Sequence, residues 1–215
     1  MLKNTLQLAL KRCGLIAILR GVRPDEVDAI GKALYDAGFR IIEVPLNSPE
    51  PLQSIATLRR TLPADCVIGA GTVLSPEAVA QVREAGGELI VMPHGDARVI
   101  SAAKAAGLCC APGVATVTEA FAALAAGADV LKMFPAEQLG PQVVKAWRAV
   151  IPATVALLPV GGILPSSVAV FTDAGASGFG LGSALYKPGL TAAVVSENAK
   201  AFVSAWNTRT ANGVL

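Results

Sequence analysis

Two charged residues stand where charge is costly. Lys132 interrupts the apolar run Val130-Leu131-Lys132-Met133-Phe134, the only one of eight lysines inside a short apolar run of strand character. Glu43 is its acidic counterpart in Ile41-Ile42-Glu43-Val44-Pro45-Leu46. A strand covered on both faces reads as continuous apolar sequence, so an ammonium within it is desolvated, and desolvation lowers its pKa. An unperturbed lysine, with a pKa of about 10.4, is neutral at pH 7 roughly once in a few thousand molecules, and each unit of depression raises that fraction tenfold. A neutral buried amine is what Schiff-base formation with a carbonyl requires. Two other readings fit the same residues: a lysine at a strand end snorkelling to solvent, or a structural ion pair between Lys132 and Glu43. Against these, a barrel core is normally filled by branched apolar side chains, and a buried pair brings no assured stability. Together the two residues favour chemistry.

The elements that must position them follow a beat. Ala-Gly recurs at the ends of helical patterns, at Ala37-Gly38, Ala85-Gly86, Ala106-Gly107, Ala126-Gly127 and Ala174-Gly175, where glycine serves as a left-handed cap. The middle intervals are 21 and 20 residues and the outer ones 48, so one silent unit fits into each long interval, ending near Leu62 and Ile151. With a last unit after Gly175, the count is eight strand-helix units. The expected architecture is therefore α/β, a (β/α)8 TIM barrel, with residues 1–215 a single domain carrying an extra N-terminal helix. Its strands are expected at Leu15–Leu19, Ile41–Leu46, Val67–Ala70, Leu89–Met92, Leu108–Ala111, Val130–Phe134, Val155–Val160 and Gly178–Leu181. Ser75-Pro76 offers a helix N-cap followed by proline at the first helical position, and Thr116 with Glu119 a capping box. An opening helix from about Lys3 to Arg12 and a closing one from about Leu190 to Asn207 complete the pattern.

In such a barrel the active site lies at the C-terminal ends of the strands, which gathers scattered residues into a set. Arg20 ends the first strand, Glu43 lies in the second and Lys132 in the sixth. Val160-Gly161-Gly162 follows the seventh strand and Gly180-Leu181-Gly182-Ser183 the eighth. Loops at those two positions often bind phosphate, because glycine lets backbone N–H groups approach the anion. Gly69-Ala70-Gly71-Thr72 adds a backbone N–H and a hydroxyl suited to a small carboxylate, or else is only a tight turn.

Composition excludes several classes. The formal charge of +2 and the absence of a basic cluster give no reason to expect nucleic acid. No signal peptide is evident at Met1-Leu2-Lys3-Asn4, and the uncharged span Ala149 to Thr172 is broken by Pro152, Pro159, Gly161, Gly162 and Pro165. It reads as strand, loop and helix rather than as a membrane span. Cys13, Cys66, Cys109 and Cys110 have no paired spacing and read as buried free thiols, which implies a reducing cytoplasm. The single histidine, His94, cannot anchor a multi-histidine metal site; neither metal nor cofactor is expected.

Five segments in order, Ala17-Ile18-Leu19-Arg20-Gly21, Glu43 to Pro49, Gly69 to Leu74, Lys132-Met133-Phe134-Pro135-Ala136 and Val160-Gly161-Gly162, resemble the 2-keto-3-deoxy-6-phosphogluconate (KDPG) aldolase family. The resemblance runs from about Leu15 to Gly189. It implies a homotrimeric (β/α)8 barrel with metal-free class I aldolase chemistry on a phosphorylated keto acid. Carried over, Lys132 is the Schiff-base lysine and Glu43 the acid/base working through a bound water. Arg20, Thr72 and Pro93 line the pyruvate end, and Phe134 packs beside the lysine. Gly161, Gly162, Gly182 and Ser183 hold the phosphate. KDPG aldolases proper usually carry an arginine after the Glu-Val strand and a threonine before the Gly-Gly pair. Here Asn47 and Val160 stand there, more like the 2-dehydro-3-deoxy-6-phosphogalactonate (KDPGal) aldolases, whose substrate is the C4 epimer. A pocket hydroxyl that hydrogen-bonds one epimer discriminates strongly, and a valine cannot donate.

Alternatives from other classes remain at this level. A phosphosugar isomerase or epimerase on the same barrel uses Glu43 as base and Lys132 only electrostatically. A phosphosugar-binding protein keeps the glycines and needs neither charge. The residues also leave a tension open: a carboxylate near Lys132 favours the charged amine, whereas desolvation and Arg20 oppose it.

Overall fold

The computed structural model describes residues 2–211. Along the chain, α1 (Leu2–Arg12), β1 (Leu15–Ile18), α2 (Val27–Ala37), β2 (Ile41–Pro45), α3 (Pro51–Thr61), β3 (Val67–Gly71), α4 (Pro76–Glu84), β4 (Leu89–Val91) and α5 (Ala97–Ala105) come first. They are followed by β5 (Cys109–Ala111), β6 (Gly113–Val114), α6 (Val117–Ala125), β7 (Val130–Met133), α7 (Ala136–Arg148), β8 (Ala156–Pro159), α8 (Val168–Asp173), β9 (Phe179–Leu181) and α9 (Ala192–Ala211). Every strand pair is parallel. One sheet has the order β5-β4-β3-β2-β1-β9 and the other β6-β7-β8. A parallel bridge between Val160 and Gly180 joins β8 to β9.

The spacing of helix ends matches its physical reason. Gly38, Gly86, Gly107, Gly127 and Gly175 all take positive φ, the left-handed conformation that glycine reaches without a Cβ penalty. The two silent units end otherwise. The chain leaves α3 through extended Leu62 and α7 through right-handed Ala149 with no residue of positive φ after it, so neither needs a glycine. Ser75 caps α4 by accepting from the Ala78 N–H, and Thr116 with Glu119 forms the expected box. One expectation needs correction: beyond the fifth strand lies a separate short β6, because Pro112 has no N–H to continue the ladder. The closing helix starts at Ala192, two residues later than expected.

The strands divide their side chains between two apolar clusters, as a period of two demands. Leu15, Ala17, Ile42, Val44, Ile68, Ile90, Cys110, Leu131 and Leu157 face the helices. Ile16, Ile41, Val67, Leu89, Cys109, Val130 and Leu158 form the other cluster, joined by Leu6 and Ala9 of α1. Adjacent Cys109 and Cys110 thus point to opposite faces, and all four cysteines are buried and outside any disulfide among the described residues. Alternation places Glu43 on the face of Ile41, and Lys132 on that of Val130. Both therefore sit above the inner cluster, towards the strands' C-terminal ends. Among the described residues no helix is long and apolar enough to cross a membrane.

Candidate active site

Parallel register brings the charged pair to neighbouring levels. Glu43 pairs with Ile18 on one side and Gly69 on the other, and Lys132 lies between Gly113 and Leu158. Both are buried, Glu43 to 2 % exposure and Lys132 to 7 %. A side chain at Gly71 would strike the Glu43 carboxylate, so the glycine makes the space in which that carboxylate sits. Among the described residues Glu43 Oε2 has no hydrogen-bond partner. Burial pushes the Glu43 carboxyl up from 4.5 to about 7, with Lys132 and Arg20 pulling it back. Burial likewise lowers the Lys132 pKa; the charge of Glu43 opposes this and that of Arg20 adds to it. The tension left by the sequence is resolved in favour of desolvation. Lys132 Nζ lies 4.7 Å from the centre of the Phe134 ring.

Above the lysine opens a cavity of about 360 Å³. Arg20, Thr72, Pro93, Lys132, Phe134, Val160, Gly161, Gly162, Gly182 and Ser183 all line it, so ten of the eleven residues singled out in the sequence share one wall. The eleventh, Glu43, lies beneath, on a void of about 10 Å³ that it shares with Lys132, Ile18, Val160 and Gly180. That is the volume of about one water, with an unpartnered carboxylate oxygen beside it. His94 is absent from the cavity wall.

Each polar group on the wall is held by its loop. Arg20 donates from Nη1 to Asn47 Oδ1 at 2.8 Å, and the next residue's N–H donates to Ser48 Oγ at 2.9 Å. Asn47-Ser48 thereby clamps the loop that presents the guanidinium. Thr72 has φ +55°, unusual for a β-branched residue and a sign that the surroundings impose its conformation. Gly161 and Gly162 both take positive φ.

The wall also holds residues that sequence reasoning missed. Leu164, Tyr186, Lys187 and Pro188 border the cavity, and Tyr186 donates its hydroxyl to Glu26 at 2.9 Å. Their one available signal is proximity in the chain, of Leu164 to Gly162 and of the other three to Ser183. Among the described residues no group of three or more His, Cys, Asp or Glu side chains is placed to hold a metal ion.

Comparison with known proteins places the chain in a family. The model of the KDPG and KHG aldolase family matches residues 6–200. A probable 2-dehydro-3-deoxy-6-phosphogalactonate aldolase of Rhizobium meliloti (strain 1021) is 47% identical over 193 residues, 90% of this chain and 91% of that protein. The 2-dehydro-3-deoxy-6-phosphogalactonate aldolase of Escherichia coli (strain K12) is 47% identical over 192 residues, 89% of this chain and 94% of that one. The native KDPGal structure superposes with a TM-score of 0.90 at 46% identity, covering 92% of this chain and 96% of that chain. With its family model spanning most of the chain and a lysine–glutamate couple under an open cavity, the chain belongs to the KDPG and KHG aldolase family and is an aldehyde-lyase.

Proposed function

We propose that the protein is a class I aldolase that cleaves 2-dehydro-3-deoxy-6-phospho-D-galactonate to pyruvate and D-glyceraldehyde 3-phosphate. The observation that carries this is Lys132, a buried amine of lowered pKa at the floor of an open cavity, beside a carboxyl poised near neutrality. Neutral Lys132 Nζ adds to the C2 ketone, and the carbinolamine loses water to a protonated imine. Glu43 supplies the proton for that loss, directly or through a water in the void beneath. Glu43, now a carboxylate, takes the C4 hydroxyl proton; the C3–C4 electrons flow into the iminium, and the aldehyde leaves. The enamine is reprotonated at C3, and water releases pyruvate and the free lysine. A carboxyl titrating near the working pH serves both the acid and the base steps.

Arg20 and Thr72 bind the substrate carboxylate, with Pro93 packed beside them. Gly161, Gly162, Gly182 and Ser183 take the phosphate through N–H groups and a hydroxyl. The galactonate epimer is preferred because Val160, buried at 8 % exposure, offers the C4 hydroxyl no hydrogen bond, and because the similar proteins are named for that substrate. The two parallel sheets, joined at the Val160–Gly180 bridge and through Pro112, form a closed (β/α)8 barrel. Residues 1–215 act as one domain, and the chain works as a homotrimer in the cytoplasm, as the family resemblance implies.

The test is incubation with pyruvate, borohydride reduction and peptide mapping. A stable adduct on Lys132, absent from Lys132→Met, is expected. A folded protein without adduct refutes the imine and favours the isomerase. Steady-state rates on the two C4 epimers then decide the substrate, with the galactonate epimer expected to have the higher kcat/KM.

A further inference from the structure

The charged side chains on the cavity wall are Arg20, Lys132 and Lys187. Two of these are committed: Arg20 is held by Asn47, and Lys132 is the proposed nucleophile. Lys187 is exposed and, among the described residues, its ammonium has neither an ion pair nor a hydrogen bond. Lys32 and Lys104, by contrast, pair with Asp28 and Asp129.

The backbone that carries Lys187 is firmly placed. The Leu185 and Tyr186 N–H groups both donate to Gly182 O, at 2.9 and 3.0 Å, folding the segment back on the glycine of the phosphate loop. The Tyr186 hydroxyl is anchored on Glu26, and Asn198 Nδ2 donates to Leu185 O at 3.1 Å. On the other side Pro188 lies against Gly21, where a Cβ would come within 2.8 Å of its ring. The loop is thus pinned before and after Lys187, while the ammonium itself stays free.

The phosphate loops have a charge deficit that a lysine would offset. Glycine N–H groups and the Ser183 hydroxyl give geometry without net charge. Glu137, which does not border the cavity, holds its carboxylate where a Cβ at Gly161 or Gly162 would meet it, and a negative charge so near the glycine loops opposes an approaching dianion. We propose that Lys187 is a further substrate-binding residue, whose ammonium captures the substrate's phosphate over the glycine loops. This rests on the function proposed above. A lysine suits the task as a compact charge on a flexible stem. A rim charge of this kind acts on capture and on salt dependence more than on the chemical step.

The experiment compares wild type with Lys187→Ala, Lys187→Gln and Lys187→Arg on the phosphorylated substrate and on its unphosphorylated counterpart, at low and raised salt. The expected result for Ala and Gln is a fall of roughly tenfold in kcat/KM on the phosphorylated substrate, carried by KM. The salt dependence flattens, Arg restores most of the loss, and the unphosphorylated substrate is turned over as by wild type. Equal losses on both substrates, or no loss on the phosphorylated one, overturn the inference. Pyruvate adduct formation on Lys132, measured on every variant, keeps the two claims apart. If adduct forms and Lys187 has no effect, only the present inference fails. If wild type forms no adduct, the aldolase reading fails, and binding of inorganic phosphate, weaker in Lys187→Ala or unchanged, still decides the role of Lys187.

Discussion

Glu43 is the residue at which catalysis and stability pull apart. Its carboxyl titrates at about 7 in the folded protein, against an ordinary 4.5, because burial penalises the anion more than Lys132 and Arg20 favour it. Below pH 4.5 the residue is protonated in both states and costs no charge burial. Between 4.5 and about 7 the unfolded chain ionises first, so the folded state holds the extra proton and loses stability as pH rises. Above 7 the loss is complete, at about 3 kcal/mol for a shift of this size. Glu43→Gln has no proton to lose there. Relative to wild type it should gain about 3 kcal/mol between pH 4.5 and 8, read from denaturant midpoints across pH, while aldol cleavage falls by orders of magnitude. A stability difference that stays flat with pH would show that Glu43 ionises normally in its cavity. The amide's own packing cost is the same at each pH and cancels from the comparison.

At the scale of elements, local capping should carry stability without touching the site. Thr116 Oγ1 accepts the Glu119 N–H, while Glu119 Oε2 accepts the N–H groups of Ala115 and Thr116, both at 2.8 Å. Thr116→Ala removes half of this exchange and should cost about 1 kcal/mol, lowering Tm by about 2–4 °C with kcat/KM unchanged at 25 °C. Calorimetry beside a steady-state assay checks both parts, and a loss of activity would mean that α6 steers β7 and its lysine. Such devices are also what made the fold legible. A left-handed helix end demands glycine, so five caps were visible as a beat, whereas α3 and α7 ended in conformations open to any residue and left no mark. β6 went unseen because a two-residue strand beyond a proline has no periodicity. The same logic governs the site. Lys132 and Glu43 stood out because each breaks an apolar strand. Lys187 breaks no pattern, since lysine in an exposed loop is ordinary and its meaning comes only from the cavity it faces. The Arg20–Asn47 bond joins residues 27 apart in the chain, and only the folded register brings them together.

At the scale of the molecule, the fold depends on what happens where its two sheets meet. Val160 and Gly180 bridge there in parallel, and a Cβ at Gly180 would come within 2.7 Å of Val160 Cγ2 and 3.3 Å of Ile18 Cδ1. Valine is the larger partner and glycine the complement that lets the strands close. Gly180→Ala should therefore overpack the seam and cost about 1–3 kcal/mol. Val160→Ala creates room at the same point, so the double variant should recover much of that loss, with a coupling of about 1 kcal/mol or more in a double-mutant cycle. The cycle is read by chemical denaturation, which isolates packing from catalysis. Additive effects would mean that the two residues do not share the seam, and would count against the proposed closure of the barrel. Coupling has a functional corollary, because Val160 also borders the substrate cavity. A methyl added at Gly180 pushes Val160 towards the bound substrate, so Gly180→Ala should lower kcat/KM as well, and trimming Val160 should relieve that loss together with the strain.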